Sequence, residues 1–436
     1  MDILRFDTKK SYGAFKLLNA TNGGPYHKRH EKSQFRSNFA DYKAARIPYS
    51  RNHDSNMMQI YGGPYAHDVT AIFRNFDADE NDPTSYDFTC TDEAILCTLE
   101  AGTKTFFRLG ETIEHQIKKH ATIPPKDFHK WARICEHIIR HYTEGGAEGF
   151  THDILYWEIW NEPDMNEDDD TDKQNWGGTK AQFFDFFEIV AKHLKKCFPN
   201  LKIGGPALGW RLNWAEDFLF EMQKRGVALD FFSWHLYGRE PEFIMTQAQK
   251  IRELLDKYGY TQTESICDEW NYVRGWTDEF VYSIEAIHGA KGASFMMATI
   301  SEAQKHPIDM MMYYDTRPSA FNGVFDFYTY CTLKGYYALK WFGELYDYEN
   351  EVRAINKIDD IYSIAGVDSD GKVIAIITHY SEDDTLDSIL LDVDFQKKGK
   401  YEVYRVDSEH NGERVMITDV LEFEMPVHSI IFIKEC

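Results

Sequence analysis

The sequence has no stretch of 18 consecutive apolar residues, the minimum for a helix that spans a bilayer. Its first seven residues, Met-Asp-Ile-Leu-Arg-Phe-Asp, lack the basic start and the apolar core of a secretory leader. From these two absences we expect a cytoplasmic protein with no membrane partner.

Cysteine is scarce and scattered. Seven cysteines occur among 436 residues, and no two of them form a Cys-x-x-Cys pair. An odd number without short spacings supports neither a disulfide framework nor a cysteine-based metal site. We therefore expect reduced thiols, which agrees with a reducing compartment.

Positive charge is in deficit. The 48 lysines and arginines are outnumbered by 71 aspartates and glutamates, which gives a formal net charge of −23. A field of this sign repels phosphate backbones. We therefore expect no nucleic-acid partner.

Several signatures of catalysis are missing. The sequence has no P-loop, no Gly-x-Ser-x-Gly elbow, no His-Glu-x-x-His pair and no Gly-x-Gly-x-x-Gly after a predicted strand. Residues 77–82 and 168–173 begin like calcium loops but lack the required glycine. Nucleotide, serine-hydrolase and metal chemistry have no local support, so we expect no metal and no organic cofactor.

From about residue 14 to residue 345, short apolar segments alternate with amphipathic ones. This pattern predicts parallel βα units, and eight such units close a (β/α)8 TIM barrel. Two of the helices are clearly marked, one beginning after Asp127 and one at residues 179–198. The predicted strands lie near residues 14–20, 45–52, 104–109, 154–161, 201–206, 230–237, 264–270 and 308–315.

After residue 345 the apolar residues alternate with polar ones between turn signals, as at residues 372–377, 400–406 and 429–433. This pattern predicts a C-terminal β-sandwich at residues 346–436. Residues 1–13 carry no helical pattern, and we expect them to add a strand to that sandwich. The predicted fold class is therefore α/β, with a (β/α)8 TIM barrel at residues 14–345 and a β-sandwich after it.

Two of the predicted strands end abruptly in a glutamate. Residues 154–163 read Ile-Leu-Tyr-Trp-Glu-Ile-Trp-Asn-Glu-Pro, and residues 265–271 read Ser-Ile-Cys-Asp-Glu-Trp-Asn. A buried parallel strand delivers such a residue to the open end of a barrel, where barrel active sites lie. A single loop glutamate is usually an ordinary solvated carboxylate. Two at strand ends, each beside Trp and Asn, favour a shared site for Glu162 and Glu269.

A pair of carboxylates is what glycoside hydrolysis requires. One protonates the leaving oxygen, and the other stabilises or attacks the anomeric carbon. Asn161 offers an amide that can bind the hydroxyl next to that carbon. His235 and Tyr237 share one face of the sixth predicted strand because strand side chains repeat with period two.

Five segments of the sequence match a known family. They are Gly-Thr-Lys-Thr-Phe-Phe-Arg-Leu-Gly (102–110), Pro-Pro-Lys-Asp-Phe-His-Lys-Trp (124–131), Glu-Ile-Trp-Asn-Glu-Pro (158–163), Leu-Lys-Ile-Gly-Gly-Pro-Ala (201–207) and Phe-Phe-Ser-Trp-His-Leu-Tyr (231–237). Through them the sequence resembles glycoside hydrolase family 39, which contains retaining β-xylosidases and α-L-iduronidases. The resemblance covers roughly residues 14–300 and implies Glu162 as the general acid/base and Glu269 as the nucleophile of a retaining mechanism. It also implies that His235 and Tyr237 lie beside the nucleophile, and it matches His53 more loosely to a family histidine.

Further binding candidates rest on position alone. Glu111 follows the third predicted strand, where we expect it either to contact a sugar hydroxyl or to face solvent. Trp270, Trp276 and Trp210 are candidates for stacking on sugar rings, although tryptophan is a core residue at least as often. Asp268 is expected to point away from the side on which Glu269 lies.

Charged residues inside the predicted barrel need partners. Glu158 has the strand parity of Glu162 and should point into the barrel, where an unpaired charge is costly. Arg108 on the third strand is the predicted partner, in a structural role. Three other arginines lie near strand ends without an assignable direction: Arg46, Arg51 and Arg239.

Three hypotheses about function follow. The leading one is a retaining glycosidase that removes terminal β-linked sugars from oligosaccharides, best interpreted as a β-xylosidase. The second is an enzyme for another sugar, namely a β-glucosidase, β-galactosidase, arabinosidase or α-L-iduronidase-like enzyme. The third is a sugar-binding barrel without catalysis. The expected partner is an oligosaccharide or glycoside substrate, and a homo-oligomer and a monomer both stay open.

Overall fold

The computed structural model describes residues 1–25, 38–55, 63, 65–317 and 319–436. Within them, the first strand, β1 (Asp2–Arg5), belongs to a C-terminal sheet, and the next eight strands close a parallel barrel. The predicted (β/α)8 fold is thus confirmed. In their order around the barrel, the strands are β2 (Leu17–Asn22), β3 (Tyr49–Arg51), β4 (Lys104–Leu109), β5 (Tyr156–Ile159), β6 (Lys202–Leu208), β7 (Phe231–Gly238), β8 (Glu264–Tyr272) and β9 (Met310–Tyr314).

Helices follow most of the barrel strands. Both marked helices are confirmed, since the Asp127 side chain accepts a hydrogen bond from Lys130 N at the start of α4, and Thr179 forms a capping box with Gln182 at the start of α5. In the described part of the chain, no helix is long and apolar enough to cross a membrane. The helices are α1 (Phe39–Ala44), α2 (Val69–Ile72), α3 (Thr89–Glu100), α4 (Phe128–Thr143), α5 (Lys180–Cys197), α6 (Leu212–Lys224), α7 (Pro241–Lys257), α8 (Phe280–His288), α9 (Ala290–Ala303) and α10 (Lys334–Glu344).

The barrel interior has an apolar layer and a polar layer. Side chains near the amino ends of the strands pack into one apolar cluster that includes Tyr49, Phe106, Tyr156, Phe231 and Ile266. Further along the same strands, the inward positions are polar or charged. The amino ends of the strands therefore enclose a hydrophobic core, and the polar inward positions lie at the carboxyl ends, where the active sites of such barrels are found.

Two sheets form the C-terminal region. One consists of three strands in the order β1-β13-β16, in which β1 pairs in parallel with β13. The other consists of six strands in the order β10-β11-β12-β17-β14-β15 and packs on the barrel through α9. Helix α10 packs on the same sheet, and the rings of its Trp341 and of Phe432 stack with centroids 5.2 Å apart. The strands are β10 (Asn350–Val352), β11 (Ile361–Val367), β12 (Val373–His379), β13 (Ile389–Asp394), β14 (Tyr401–Val406), β15 (Asn411–Thr418), β16 (Glu422–Met425) and β17 (Ser429–Glu435).

Candidate active site

Glu162 lies just beyond the carboxyl end of β5. The backbone leaves the extended conformation there, because both Trp160 (φ 77°) and Glu162 (φ 45°) lie in the left-handed region, which is uncommon for residues other than glycine. The Glu162 N–H donates to the carbonyl oxygen of Ala207 at 2.8 Å, which fixes the bend. This bend turns the Glu162 side chain into a cavity at the barrel mouth, of which it forms part of the lining.

Burial of Glu162 favours its protonated form, against the effect of its hydrogen-bond partner His235. Its carboxylate contacts His235 Nδ1 at 2.9 Å and accepts a hydrogen bond from Asn175 Nδ2 at 3.0 Å. Burial raises the pKa of Glu162 above its ordinary value, and the charge of Glu269 adds to this effect, while His235 opposes it. A carboxylic acid that keeps its proton is suited to donate that proton to a substrate.

Glu269, in β8, is surrounded by hydrogen-bond donors. Arg51 Nη1 donates to its Oε1 at 2.8 Å, and Asn22 Nδ2 donates to the same oxygen at 3.2 Å. The Tyr237 hydroxyl donates to Oε2 at 2.8 Å. Donors on both oxygens suit an ionised carboxylate.

The two glutamates meet at one place. One carboxylate oxygen of each, together with one ring nitrogen of His235, lie within 4.8 Å of one another. His235 Nδ1 lies between them, 2.9 Å from Glu162 Oε1 and 3.5 Å from Glu269 Oε2. Both glutamates line the same cavity of about 710 Å³ at the carboxyl ends of the strands. The structure therefore brings together the two residues that the sequence singled out.

Arg51 connects the groups beneath the cavity. It is fully buried, and its guanidinium contacts Glu158 at 2.6 Å, Asp268 at 3.1 Å and Glu269 at 2.8 Å. The predicted pair of Arg108 with Glu158 is wrong, because Arg51 occupies that role and Arg108 pairs with Asp68 at 2.6 Å. Burial raises the pKa of Glu158 well above its usual range, although Arg51 opposes the shift.

A β-bulge in β8 places two consecutive acids inside the barrel. Cys267 pairs with Trp234, but Glu269 pairs with the very next residue of β7, His235, so Asp268 is an extra residue in the ladder. The expectation that Asp268 points away is wrong because the bulge breaks the period of two. Although burial opposes its ionisation, Arg51 lowers the pKa of Asp268 to about 2.

His235 is held between three carboxylates. Its Nδ1 faces Glu162 and Glu269, and its Nε2 lies 3.4 Å from Asp268 Oδ1. Burial disfavours the charged ring, but Glu269 and then Asp268 raise the pKa of His235 well above its ordinary value. The imidazolium is therefore favoured, with Nδ1 at hydrogen-bond distance from Glu162 and Nε2 in an ion-pair contact with Asp268.

Three other predicted residues lie at the site. Asn161 accepts a hydrogen bond from Arg51 Nη2 at 2.7 Å, and its own buried Nδ2 has no partner among the described groups. His53 lines the cavity, and burial lowers its pKa well below the ordinary value, so the ring is neutral. Trp276 also lines the cavity and is 59 % exposed.

Two predicted site residues lie elsewhere. Trp270 follows the bulge on the outward side of β8, where it is fully buried and packs on Tyr313 and Phe295 with ring centroids 5.6 and 6.2 Å away. Glu111 is also buried and outside the cavity lining, with its carboxylate bonded to the backbone N–H and the hydroxyl of Thr70. Neither contacts the cavity, and Glu111 does not face solvent.

The sequence analysis missed many residues that line the cavity or contact the glutamates, among them Asn22, Asp54, Asn175 and Tyr314. Asn22 and Tyr314 end the strands β2 and β9, so the strand-end rule that found the glutamates could have found them. Asp54 and Asn175 belong to loops, whose geometry no periodicity records.

Comparisons with known proteins show which family this chain resembles in sequence. The sequence model for glycosyl hydrolases family 39 matches residues 15–307. The chain is 29 % identical over 191 residues to a β-xylosidase of Geobacillus stearothermophilus, in a match that covers 41 % of this chain and 36 % of that protein. It is 29 % identical over 167 residues to the α-L-iduronidase of Homo sapiens, covering 34 % of this chain and 24 % of the relative. The matched segments thus span about a third of these relatives or less.

Solved structures share the fold over the whole chain. A glucosidase from Croceicoccus marinus superposes with a TM-score of 0.81 at 22 % identity, covering 100 % of this chain and 98 % of that one. A monomeric β-xylosidase from Caulobacter crescentus gives a TM-score of 0.73 at 17 % identity, covering 100 % and 99 %. The family match extends over about two thirds of the chain and includes both strand-end glutamates. The chain therefore belongs to glycosyl hydrolases family 39.

Proposed function

We propose that this protein is a retaining β-glycosidase that removes a terminal neutral sugar, and that a β-xyloside is its best substrate. The observation that carries the proposal is the approach of the Glu162 and Glu269 carboxylates to within 4.8 Å in one buried cavity. Carboxyl groups about 5–5.5 Å apart are typical of double displacement, whereas inverting enzymes need a wider gap for water.

The geometry supports a division of labour between the two carboxylates. Glu162 donates its proton to the glycosidic oxygen while Glu269 attacks the anomeric carbon, so the bond to the leaving group breaks and a glycosyl ester of Glu269 forms. Glu162, now ionised, then takes a proton from a water molecule that cleaves this ester. Two displacements on opposite faces restore the original anomeric configuration.

Neighbouring groups support both steps. Arg51 and Tyr237 orient the Glu269 carboxylate, one on each oxygen. The unpartnered Nδ2 of Asn161 is suited to bind the hydroxyl next to the anomeric carbon, where hydrogen bonds strengthen in the transition state. His235 donates to Glu162 after the first proton transfer and so stabilises its carboxylate.

The cavity favours a neutral sugar over a uronic acid. Its described lining contains the carboxylates of Asp54, Glu162 and Glu269 but no lysine or arginine. The nearby Arg317 is already paired, 2.8 Å from Asp315. Among the described residues, a substrate carboxylate would therefore meet acidic groups without a free cation, so an iduronide is disfavoured.

Hydrolysis of a panel of p-nitrophenyl glycosides tests this proposal. We expect turnover of the β-xyloside above that of the β-glucoside, the β-galactoside and the α-L-arabinoside, and none of the α-L-iduronide. Proton NMR of the first-formed product should show the β-anomer, and a 2-deoxy-2-fluoro xyloside should label Glu269. Sugar binding without turnover of any glycoside would favour a non-catalytic barrel, and an α-anomeric product would exclude retention.

Replacing Glu162 by alanine should separate the two chemical steps. For a substrate with a poor leaving group, such as methyl β-xyloside, we expect kcat/KM to fall by roughly 10²–10⁴-fold because proton donation is lost. For 2,4-dinitrophenyl β-xyloside, which needs no such proton, azide should restore turnover and give the β-glycosyl azide. Glu167→Ala, in the same loop but 67 % exposed, is the matched control. Equal losses on both substrates, without any azide product, would contradict the assignment.

Replacing Asp268 by asparagine should move the alkaline limb of the kcat/KM profile to higher pH, by up to about one unit. Protonated His235 lowers the pKa of Glu162, and Asp268 helps to keep His235 charged. Without the Asp268 carboxylate, His235 loses its proton more readily. Glu162 then stays protonated up to a higher pH, and its proton is the one that the first step requires. Asp309→Asn, whose carboxylate accepts a bond from Ser265 N at the other end of β8, is the control. If the alkaline limb stayed at the same pH or moved to lower pH, Asp268 would not act through His235.

A further inference from the structure

The outer part of the cavity is lined by apolar side chains that follow six consecutive barrel strands, β4 to β9. Three of them, Trp210, Phe243 and Trp276, are 55, 52 and 59 % exposed and so face the opening. Exposed apolar side chains grouped in this way mark a surface that binds something apolar. The six residues, here called the outer ring, are Ile113, Met165, Trp210, Phe243, Trp276 and Phe321.

Members of the outer ring face one another across the mouth. In a closed barrel of eight strands, β4 is opposite β8 and β5 is opposite β9. Ile113, after β4, therefore lies across from Trp276, after β8. Met165, after β5, lies across from Phe321, after β9. A part of the substrate that extends from the two carboxylates toward solvent would thus contact apolar side chains on opposite sides of the mouth.

Polar partners are few in this outer part. Apart from the groups that surround the two carboxylates, the described lining side chains able to form hydrogen bonds are His115, Gln174 and the indole N–H groups of Trp210 and Trp276. A second sugar could stack one face on a tryptophan, but its hydroxyls point outward around the ring toward the opposite walls. Burying hydroxyls that lose water without gaining hydrogen-bond partners costs binding free energy, whereas burying an alkyl or aryl group in the same place makes binding more favourable.

We propose that the leaving group of the natural substrate is an apolar alkyl or aryl aglycone rather than a second sugar. This inference rests on the proposed function, because it requires Glu162 to protonate the oxygen that joins the two parts. That oxygen takes the Glu162 proton, its bond to the anomeric carbon breaks as Glu269 bonds to that carbon, and the aglycone departs as a free alcohol or phenol. The inference replaces the oligosaccharide that the sequence led us to expect.

A homologous series of alkyl β-xylosides tests the inference. Methyl, butyl, hexyl and octyl xylosides, each used below its micelle concentration, release alcohols of nearly equal basicity, so differences in kcat/KM report binding of the chain. Each methylene that enters the outer ring should raise kcat/KM by up to about threefold to fourfold. We expect octyl β-xyloside to exceed methyl β-xyloside by at least about tenfold, and to exceed xylobiose as well. If the aryl panel selects another neutral sugar, the series is built on that sugar.

Two variants locate the effect. Trp210→Ala should reduce the octyl-to-methyl ratio of kcat/KM by at least about threefold, because part of the chain loses its apolar contact. Phe220→Ala removes an equally exposed aromatic ring from α6, on the outside of the barrel, and should leave the ratio unchanged.

The outcomes separate the two proposals. If kcat/KM did not change with the length of the alkyl chain, and xylobiose were cleaved faster than octyl xyloside, the apolar aglycone would be excluded. The proposed glycosidase function would be unaffected. A rising series that Trp210→Ala does not alter would also exclude the apolar aglycone, because the preference would then arise elsewhere. Failure to cleave any glycoside, including the aryl panel, would instead remove the proposed function.

Discussion

Replacing Glu269 by glutamine is expected to lower kcat on an aryl β-xyloside by roughly 10⁴–10⁶-fold, as is typical when an enzyme loses its essential nucleophile. Glutamine matches glutamate in size and can still contact Tyr237 and Arg51, so the fold should persist. What is lost is the charge that attacks the anomeric carbon. The measurement is steady-state kinetics with circular dichroism as a check on folding.

The same strand offers a matched control. Glu264, at the amino end of β8, pairs with Lys202 at 2.5 Å on the opposite end of the barrel. Glu264→Gln removes the same charge from the same strand and should leave kcat within about threefold, since substitutions away from such sites have small effects. If Glu269→Gln retained turnover close to the wild-type rate, Glu269 could not be the nucleophile.

Replacing Arg51 by methionine is expected to have the largest effect on stability. Its fully buried guanidinium faces Glu158, Asp268 and Glu269, and removing one partner of a buried ion pair costs about 3–5 kcal/mol because the remaining charge is left uncompensated. The free energy of unfolding in denaturant measures this loss. Activity should fall too, since Arg51 orients Glu269 and Asn161.

The pH dependence of this loss identifies its cause. Burial opposes the ionisation of Asp268, but Arg51, with Glu158 and His235, lowers its pKa from 3.8 to about 2. The stability that Arg51 confers through Asp268 is therefore present above the unfolded value and is lost as the pH falls toward 2. The difference between wild type and Arg51→Met should therefore be largest near neutral pH and shrink below pH of about 4. Arg46→Met, which breaks an exposed pair with Asp347, should cost no more than about 1 kcal/mol. A loss for Arg51→Met as small as that would contradict the central role of Arg51.

Much of this architecture could be predicted from the sequence because it depends on local patterns. Strands buried on both faces must be apolar, so the abrupt appearance of Glu162 or Glu269 marks where each strand meets the mouth. Helix α5 begins where Thr179 and Gln182 form their capping box, a signal contained in four residues. These features need no knowledge of distant contacts.

The partners of charged residues could not be predicted in the same way. Strand parity correctly turned Glu158 inward, but the sequence indicated Arg108 as its partner and gave Arg51 no direction. The choice depends on how far each strand is staggered along the barrel, which the sequence does not record. Arg51, on β3, reaches Glu158, whereas Arg108 pairs with the loop residue Asp68. The outward position of Trp270 could have been predicted, because alternation along β8 turns the neighbour of inward-facing Glu269 to the other face.

The extra residue in β8 has a consequence for how such a site can be altered. In a strand with strict alternation, two consecutive residues never both face the barrel interior. A substitution can therefore change an inward-facing acid, but it cannot place a second inward-facing acid directly next to it in the sequence. Asp268, as the extra residue of the bulge, provides that second acid while Glu269 still faces the cavity. By the same geometry, deleting Asp268 should leave the nucleophile aimed at the substrate, so the acidity of this pocket can be adjusted by chain length as well as by composition.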